Sequence, residues 1–155
     1  MKIFNSDILI KKTSCNCADL PGHPIPPSVN LFVKVTKGCN AHCAFCSNAG
    51  CQSPTSLFDI EKMIRIIYEL KSKGIIVNRM NITGGEPSVV SPLVVRILDT
   101  IDKEHFDDVH LHLNTNGVTM QAQDLMQHPR WDSISMSLHH YDVNRLSDLY
   151  GCEIP

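Results

Sequence analysis

The stretch Met80-Asn81-Ile82-Thr83-Gly84-Gly85-Glu86-Pro87 joins a run of strand-forming residues to a glycine-rich turn. Because glycine has no side chain, a ligand can touch the bare backbone at Gly84 and Gly85. The carboxylate of Glu86 is an acceptor for a cation such as an α-ammonium group, and Pro87 stiffens the exit of the turn. A turn of this kind after a strand is also common as a plain tight connection, so the stretch alone leaves its role open.

Before this stretch, the sequence predicts one strand and one helix. Residues 31–35 are rich in strand formers. Ser56 with Asp59 resembles an N-cap with its partner three residues later. Apolar residues at positions 60, 63, 64 and 67 then form a helical stripe, which Gly74 ends.

After this stretch, the same alternation continues. Ser91-Pro92 is typical of an N-cap followed by the first residue of a helix. Residues 109–113 alternate apolar residues with histidine, which predicts a third strand, and a short helix is expected over 119–127. A fourth strand is predicted over 133–138 and a last helix over 143–150.

Strands separated by helices predict an α/β fold built from parallel βα units. The units take about 31 residues each, which suits the roughly 250 residues of an eight-unit barrel. We therefore expect a partial, incomplete (β/α) TIM-like barrel with about four parallel βα units. Residues 1–29, with four prolines, are predicted to be an irregular lead-in. Residues 30–155 are expected to form one core domain that breaks off before its last strands.

Composition argues against several classes of protein. The chain has 155 residues, a formal net charge of −2, 43% hydrophobic residues and 19% charged residues, as in an ordinary globular domain. This charge balance gives no reason to expect a nucleic-acid partner or an anionic membrane. No apolar run reaches the roughly 18–20 residues that span a bilayer, and Met1–Lys12 lacks the features of a signal peptide. The sequence therefore predicts a cytoplasmic location.

Clustered cysteines give the strongest chemical signal. Three of the seven cysteines, Cys39, Cys43 and Cys46, form a C-x3-C-x2-C run. One short loop can thus hold three thiolates around an iron–sulfur cluster and leave one iron open for a small molecule. The alternative is a zinc site completed by Cys51 or His42. The pattern leaves the roles of four cysteines open: Cys15, Cys17, Cys51 and Cys152.

Polar residues follow the third and fourth predicted strands. Asn114, Thr115 and Asn116 precede Gly117 in the first group, and the second contains Ser137, His139, His140 and Tyr141. In a parallel barrel the strand ends meet at one face, where active sites are built. Each of these residues taken singly is typical of an ordinary turn. His110 and His112 lie within the third strand, not at its end, so we interpret them as surface or helix-facing residues rather than ligands.

Residues 31–141 resemble the radical S-adenosylmethionine (SAM) superfamily. Cys39, Cys43 and Cys46 match its C-x3-C-x-aromatic-C motif, with Phe45 in the aromatic position. Residues 84–87 match its GGEP motif, and residues 115–117 and 137–138 resemble its third and fourth strand ends. The chain is thus similar to the N-terminal part of that family's core domain.

This resemblance implies a cofactor set and a reaction. The three cysteines hold a 4Fe–4S cluster, whose open iron binds S-adenosylmethionine. One electron cleaves the cofactor to a 5′-deoxyadenosyl radical, which abstracts hydrogen from a substrate. The resemblance assigns the remaining SAM contacts to seven residues: Phe45, Gly84, Gly85, Glu86, Thr115, Asn116 and Ser137. His139, His140 and Tyr141 are expected on the substrate side.

The resemblance also implies partners, and it leaves alternatives open. A one-electron reductant such as flavodoxin or ferredoxin is expected, and a peptide or small molecule is favoured as the substrate. The family's core usually has six βα units, so either this chain is a fragment or a second chain completes the barrel. The alternatives to an active enzyme are a zinc-binding, non-catalytic module and an inactive, truncated remnant.

Overall fold

The computed structural model describes residues 2–3, 6–7, 26–46 and 58–154. The predicted N-cap Ser56 and the cysteines at positions 15, 17 and 51 lie outside these residues. Within the predicted lead-in, strand β1 (Lys2–Ile3) pairs antiparallel with β2 (Ser6–Asp7).

Four parallel strands form one sheet, in the order in which they occur along the chain. They are β3 (Ser28–Lys34), β4 (Ile76–Thr83), β5 (His110–Thr115) and β6 (Ser133–Met136). The helices that alternate with them are α1 (Ile60–Ser72), α2 (Ser91–Lys103), α3 (Met120–Met126) and α4 (Val143–Tyr150). This open sheet confirms the predicted partial TIM-like fold with four βα units. Within the described residues, no helix is long and apolar enough to cross a bilayer.

The structure corrects several predicted boundaries. Helix α1 is capped by Asp59, whose carboxylate accepts a hydrogen bond from the backbone N–H of Lys62 at 2.9 Å. Ser91 is the first residue of α2 rather than its N-cap, because a 3-10 turn over Pro87–Val90 leads directly into the helix. Strand β4 begins at Ile76, earlier than predicted, since the polar pair at 78–79 hides the strand pattern there.

One face of the sheet is apolar and carries the core. Val33, Ile82 and Leu113 lie side by side on it in the strand register, and all three are buried. The helices cover this face with a stripe of buried side chains that includes Ile67 and Ile97. Burying each such side chain contributes roughly 1.5–3 kcal/mol, so this layer holds the strands in place.

The opposite face of the sheet is polar. Successive side chains of a strand point to opposite faces, and residues in register share a face. The row Phe32, Asn81, His112 and Ser133 therefore lies on the face away from the core. The rows beside it add the remaining members of this polar face: Asn30, Lys34, Arg79, Thr83, His110, Asn114 and Ser135.

Candidate functional site

The cysteine loop follows β3 at the carboxyl edge of the sheet. The backbone N–H of Val35 continues the ladder to Thr83 at 2.9 Å, and the loop then carries Cys39, Cys43 and Cys46. The three cysteines are free thiols, each partly exposed. Three soft sulfur donors thus lie where a parallel barrel places its active site.

The glycine turn packs directly against the start of this loop. The N–H of Gly85 donates to the carbonyl of Thr36 at 2.9 Å, and the N–H of Glu86 donates to the carbonyl of Gly38 at 2.8 Å. A Cβ atom on Gly85 would lie 2.0 Å from the carbonyl oxygen of Gly38. The space beside Gly85 is therefore filled by the cysteine loop, so here the missing side chain permits contact between two loops rather than approach by a ligand.

The carboxylate of Glu86 joins two strand ends. Its side chain is buried, with 1% of the residue exposed. Oε1 accepts hydrogen bonds from the backbone N–H of Ser88 at 3.0 Å and the hydroxyl of Thr115 at 2.7 Å. Oε2 accepts one from the backbone N–H of Asn116 at 2.7 Å. A carboxylate has about four acceptor positions, so these three donors leave about one for a ligand.

Asn116 links the end of β5 to the cysteine loop. Its amide Nδ2 donates to Oδ1 of Asn40 at 2.9 Å and lies 4.0 Å from the sulfur of Cys39. Its Oδ1 accepts from the backbone N–H of Val118 at 3.1 Å, which fixes the orientation of the amide. The chain from Glu86 through Asn116 to Asn40 therefore holds three strand ends together.

Three rings lie in sequence beside the cysteine loop. Phe45, which is 54% exposed, makes an edge contact with the ring of His139 at 4.7 Å between centroids. His139 makes a second edge contact with Tyr150 at 5.8 Å. Such edge contacts are a favourable arrangement of aromatic rings. The contact with His139 thus orients the ring of Phe45, and the rest of that ring remains exposed beside the cysteine loop.

The end of α4 closes one side of the loop. The hydroxyl of Tyr150 donates to the carbonyl of Ser137, and the backbone N–H of His42 donates to the carbonyl of Tyr150 at 2.7 Å. Gly151 has φ +59°, a left-handed conformation that ends the helix. The side chain of Ser137 is exposed, and its backbone N–H continues the sheet to Thr115 at 2.9 Å.

The pKa values of Cys39 and Cys43 are raised partly by the other thiols of the loop, so these sulfur atoms lie close enough to interact. Burial raises the pKa of Cys39; the N–H of Ala41, 3.4 Å from its sulfur, lowers the pKa, and Glu86 and Cys46 raise it. Burial also raises the pKa of Cys43, as do the nearby thiols of Cys39 and Cys46. Gathering these thiolates without a cation is thus unfavourable, and a bound positive centre removes the penalty.

The three thiols are the donor type that holds iron–sulfur clusters. Within the ranges that the structure describes, no three His, Cys, Asp or Glu side chains are arranged to hold one metal ion. A zinc ion needs all its sulfur ligands about 2.3 Å away, whereas a 4Fe–4S cluster takes each thiolate on a separate iron. His42 is exposed and uses its backbone to bind Tyr150, and Cys51 lies outside the described residues.

Four further residues that the sequence analysis singled out form two separate groups of contacts. His110 Nε2 and His112 Nδ1 contact the hydroxyl of Ser133 at 2.7 and 2.6 Å, on the polar face of the sheet. His140 stacks on Tyr141, which is 92% exposed.

Sequence patterns missed two contributors to the site. Asn40 gave no signal, because its partner Asn116 is 76 residues away in the sequence. Tyr150 could have been found, since Gly151 after an apolar helix is a typical C-terminal signal. Cys152, whose role the sequence left open, packs with Cys39 and Cys43 beside the buried ring of Tyr150.

The family model for the Radical SAM superfamily matches residues 33–150. The chain therefore belongs to the radical SAM superfamily, whose members use a 4Fe–4S cluster and S-adenosylmethionine. This assignment agrees with the position of the three thiols beside the glycine turn.

The chain is similar to three curated relatives, each called a probable GTP 3′,8-cyclase. It is 32% identical to the relative from Archaeoglobus fulgidus over 100 residues, which cover 63% of this chain and 31% of that protein. It is 28% identical to those from Pyrococcus horikoshii and Pyrococcus abyssi, over 83% of this chain and 40% of each relative. The chain thus spans 31–40% of the length of these relatives.

Proposed function

We propose that this chain provides the cofactor-binding part of a radical SAM enzyme that acts on a guanine nucleotide. The observation that carries the proposal is the contact between the cysteine loop and the glycine turn, with the carboxylate of Glu86 tied to the end of β5. When bound, the cluster and S-adenosylmethionine supply a one-electron reduction that releases a 5′-deoxyadenosyl radical for hydrogen abstraction.

In this proposal Cys39, Cys43 and Cys46 would hold three irons of the cluster and leave the fourth open. The amides around the sulfurs would tune the cluster, because N–H groups directed at sulfur stabilise a reduced, more negative cluster. The N–H of Ala41 already lies 3.4 Å from the sulfur of Cys39. The amide of Asn116 is the second such group, at 4.0 Å.

The remaining site residues would orient S-adenosylmethionine. Gly84, Gly85 and Glu86 are proposed to receive its ammonium group, through the carbonyls of the turn and the one acceptor position left on Glu86. Phe45 offers an exposed ring to the adenine. The proposal assigns the ribose and carboxylate to Asn116, Ser137 and the backbone around Thr115, whose own hydroxyl is engaged by Glu86.

The relatives favour a nucleotide over the peptide that the sequence left as an option. All three carry GTP in their names. The proposal includes a one-electron donor such as flavodoxin or ferredoxin, because reduction of the cluster needs an electron from outside the site. Strand β6 is one of the two outer strands of the described sheet, and its Met136 is 51% exposed. A second chain that pairs with this strand would complete the barrel.

The test is anaerobic reconstitution of the full chain with iron and sulfide, followed by dithionite and S-adenosylmethionine. The proposal predicts a brown protein with about four irons per chain and release of 5′-deoxyadenosine and methionine. A colourless protein with one bound zinc would support the zinc-binding module instead. A brown protein that never releases 5′-deoxyadenosine would support the inactive remnant.

A matched control distinguishes a zinc site from a cluster held by three cysteines. Replacing Cys51 with Ala removes the fourth thiol that a zinc site would use, while leaving Cys39, Cys43 and Cys46 in place. Unchanged iron content in this variant supports the three-cysteine cluster. Loss of metal on this substitution contradicts it.

A further inference from the structure

A further thiol, that of Cys152, lies beside the cysteine loop. Cys39, Cys43 and Cys152 are free, partly buried thiols. All three pack against one small apolar cluster, which consists of Ala41, Val118, Leu146 and Tyr150. The three-cysteine motif includes the first two of these thiols and leaves Cys152 outside it. The fold thus brings a thiol from the end of α4 to the cysteines of the loop.

The backbone at the end of α4 holds Cys152 next to this loop. The N–H of Cys152 donates to the carbonyl of Ser147 at 3.3 Å, which ties it to the last turn of the helix. A Cβ atom on Gly151 would lie 3.2 Å from both the Cβ atom and the carbonyl oxygen of His42. Cys43 follows His42, and Cys152 follows Gly151. Two segments in close backbone contact therefore carry these two thiols.

The contacts of the loop sulfurs favour Cys43 as the partner of Cys152. The sulfur of Cys39 lies 3.4 Å from the N–H of Ala41 and 4.0 Å from the amide of Asn116. It is therefore directed toward polar groups of the loop and of the end of β5. Burial raises the pKa of Cys43, and the neighbouring thiols, including Cys152, raise it further. Burial and the thiol of Cys39 raise the pKa of Cys152. Cys152 thus lies near both loop thiols, and Cys43 is the one whose backbone adjoins it.

A neighbouring thiol matters most when the loop holds no cluster. An exposed thiol that is oxidised alone passes through a sulfenic acid to sulfinic and sulfonic acids, and those last two steps are generally irreversible. A second thiol within bonding distance diverts this oxidation into a disulfide, which a thiol reductant reverses. A disulfide to Cys43 also removes one of the three thiolates that a cluster requires. The position of Cys152 therefore suits reversible protection of the empty loop.

We propose that Cys152 is a redox partner of Cys43: in the cluster-free protein the two thiols form a reversible disulfide, which blocks cluster assembly until it is reduced. The inference goes beyond the proposed function, because it concerns the protein before any cofactor binds. The oxidant is a low-molecular-weight disulfide such as oxidised glutathione, and the reaction passes through a mixed disulfide. One S–S bond forms between the protein sulfurs and the S–S bond of the oxidant breaks. Two electrons and the two thiol protons pass to the two glutathione molecules that are released.

The test maps the disulfides of the oxidised, cluster-free protein. The full chain is freed of iron with a chelator, reduced anaerobically and treated with oxidised glutathione. The remaining thiols are then alkylated, and the protein is digested with trypsin. Because trypsin cuts after Lys and Arg, Cys43 lies in a peptide over residues 38–62 and Cys152 in the peptide that begins at Leu146. The proposal predicts that a disulfide joins these two peptides in most chains, and that dithiothreitol separates them.

Serine variants identify the partner, because the peptide over residues 38–62 also contains Cys39, Cys46 and Cys51. Cys43→Ser should lower the amount of joined peptide about tenfold or more, since a disulfide forms only between cysteines whose backbones lie close together. Cys39→Ser and Cys46→Ser are the matched controls and should leave most of it. In denaturing urea the preference for Cys43 should disappear, because the folded contact sets it. If Cys43 and Cys152 stay reduced, or if either one pairs with another cysteine in the folded wild type, the proposal is wrong.

Iron loading distinguishes a redox partner from a cluster ligand. The oxidised wild type should take up little iron, and treatment with dithiothreitol should restore about four irons per chain. Reduced Cys152→Ala should load as much iron as the wild type, and a loss of iron in this variant would overturn the proposal by making Cys152 a ligand.

The disulfide map can fail independently of the proposed function. It needs neither the cluster nor S-adenosylmethionine, so a failed iron reconstitution leaves the map readable. Conversely, if no disulfide joins Cys43 to Cys152, the cluster assignment is untouched and only the redox role of Cys152 is rejected.

Discussion

The glycine turn and the cysteine loop lie side by side at the carboxyl edge of the sheet, but they are built differently. In the turn, Glu86 is 1% exposed and its carboxylate has three donors from the protein. In the loop, the thiols are partly exposed, and burial raises the pKa of both Cys39 and Cys43. The protein's own donors fill about three of the four acceptor positions of Glu86. In the loop, by contrast, the grouped thiolates carry an electrostatic cost that a bound positive centre would remove. The turn is therefore largely fixed by its own hydrogen bonds, and the loop gains more from a bound positive group.

The largest effect is expected in the loop. Cys39→Ala, Cys43→Ala or Cys46→Ala should each reduce the iron content of the reconstituted protein from about four per chain to near zero, because a cluster needs its thiolates. Iron analysis and the visible absorption of the cluster measure this loss. Cys152→Ala is the matched control, since Cys152 packs in the same region but lies outside the three-cysteine motif. If Cys152→Ala loses as much iron as Cys39→Ala, a four-thiol site replaces the one described here.

The next largest effect is expected where the turn meets the loop. Gly85→Ala places a methyl group 2.0 Å from the backbone oxygen of Gly38, which cannot rotate away. We expect a loss of about 3 kcal/mol or more in the free energy of unfolding, at the upper end of overpacking effects. Urea denaturation measures it. Gly74→Ala is the control: Gly74 has φ +70° but no atom within 4 Å of its Cβ position, so only the backbone strain of about 1–2 kcal/mol remains. Equal losses in the two variants would contradict the close contact.

A smaller effect is expected within the turn. Glu86→Gln keeps the size of the side chain but turns one acceptor oxygen into a donor, which faces N–H or O–H groups at Thr115 and Asn116. We expect a loss of about 1–3 kcal/mol from the unsatisfied buried groups, measured by thermal or urea unfolding. Glu61 is an exposed residue in the first turn of α1. Glu61→Gln should therefore change stability by less than about 0.5 kcal/mol.

The smallest effect concerns the polar face. Burial and Arg79 lower the pKa of His112 from its ordinary value of 6.5. Between the lowered pKa and 6.5, the unfolded chain binds a proton that the folded chain does not, so stability rises with pH there. The contribution of neutral His112 is complete above about pH 6.5 and is lost as the pH falls below that value. His112→Gln should flatten the dependence of unfolding free energy on pH between 5 and 7. An unchanged slope would show that another group dominates.

Much of the fold could be predicted because its signals are local. The apolar stripe at Ile60, Met63, Ile64 and Ile67 and the alternation around Leu111 and Leu113 each report burial on one face. The helix caps were less accessible: Asp59, not Ser56, caps α1, because both residue types cap helices and their sequence positions do not decide between them.

The candidate site was only partly accessible to the same reasoning. The cysteine spacing and the glycine turn can be read from adjacent residues, but the bond from Asn116 to Asn40 spans 76 residues. The sequence analysis interpreted Gly85 as leaving space for a ligand beside the backbone. In the structure the carbonyl oxygen of Gly38 fills that space. Contacts between distant segments depend on which strands pair and on what lies at their ends, and the pattern within one segment does not identify its partner.

Electron paramagnetic resonance of the reconstituted, dithionite-reduced protein, recorded before and after addition of S-adenosylmethionine, tests the central claim most directly. If three thiols hold the cluster and one iron is open, the reduced protein gives the signal of a single 4Fe–4S cluster, and the cofactor changes that signal by binding the open iron. An identical spectrum in the presence of S-adenosylmethionine, or no cluster signal at all, would contradict the account.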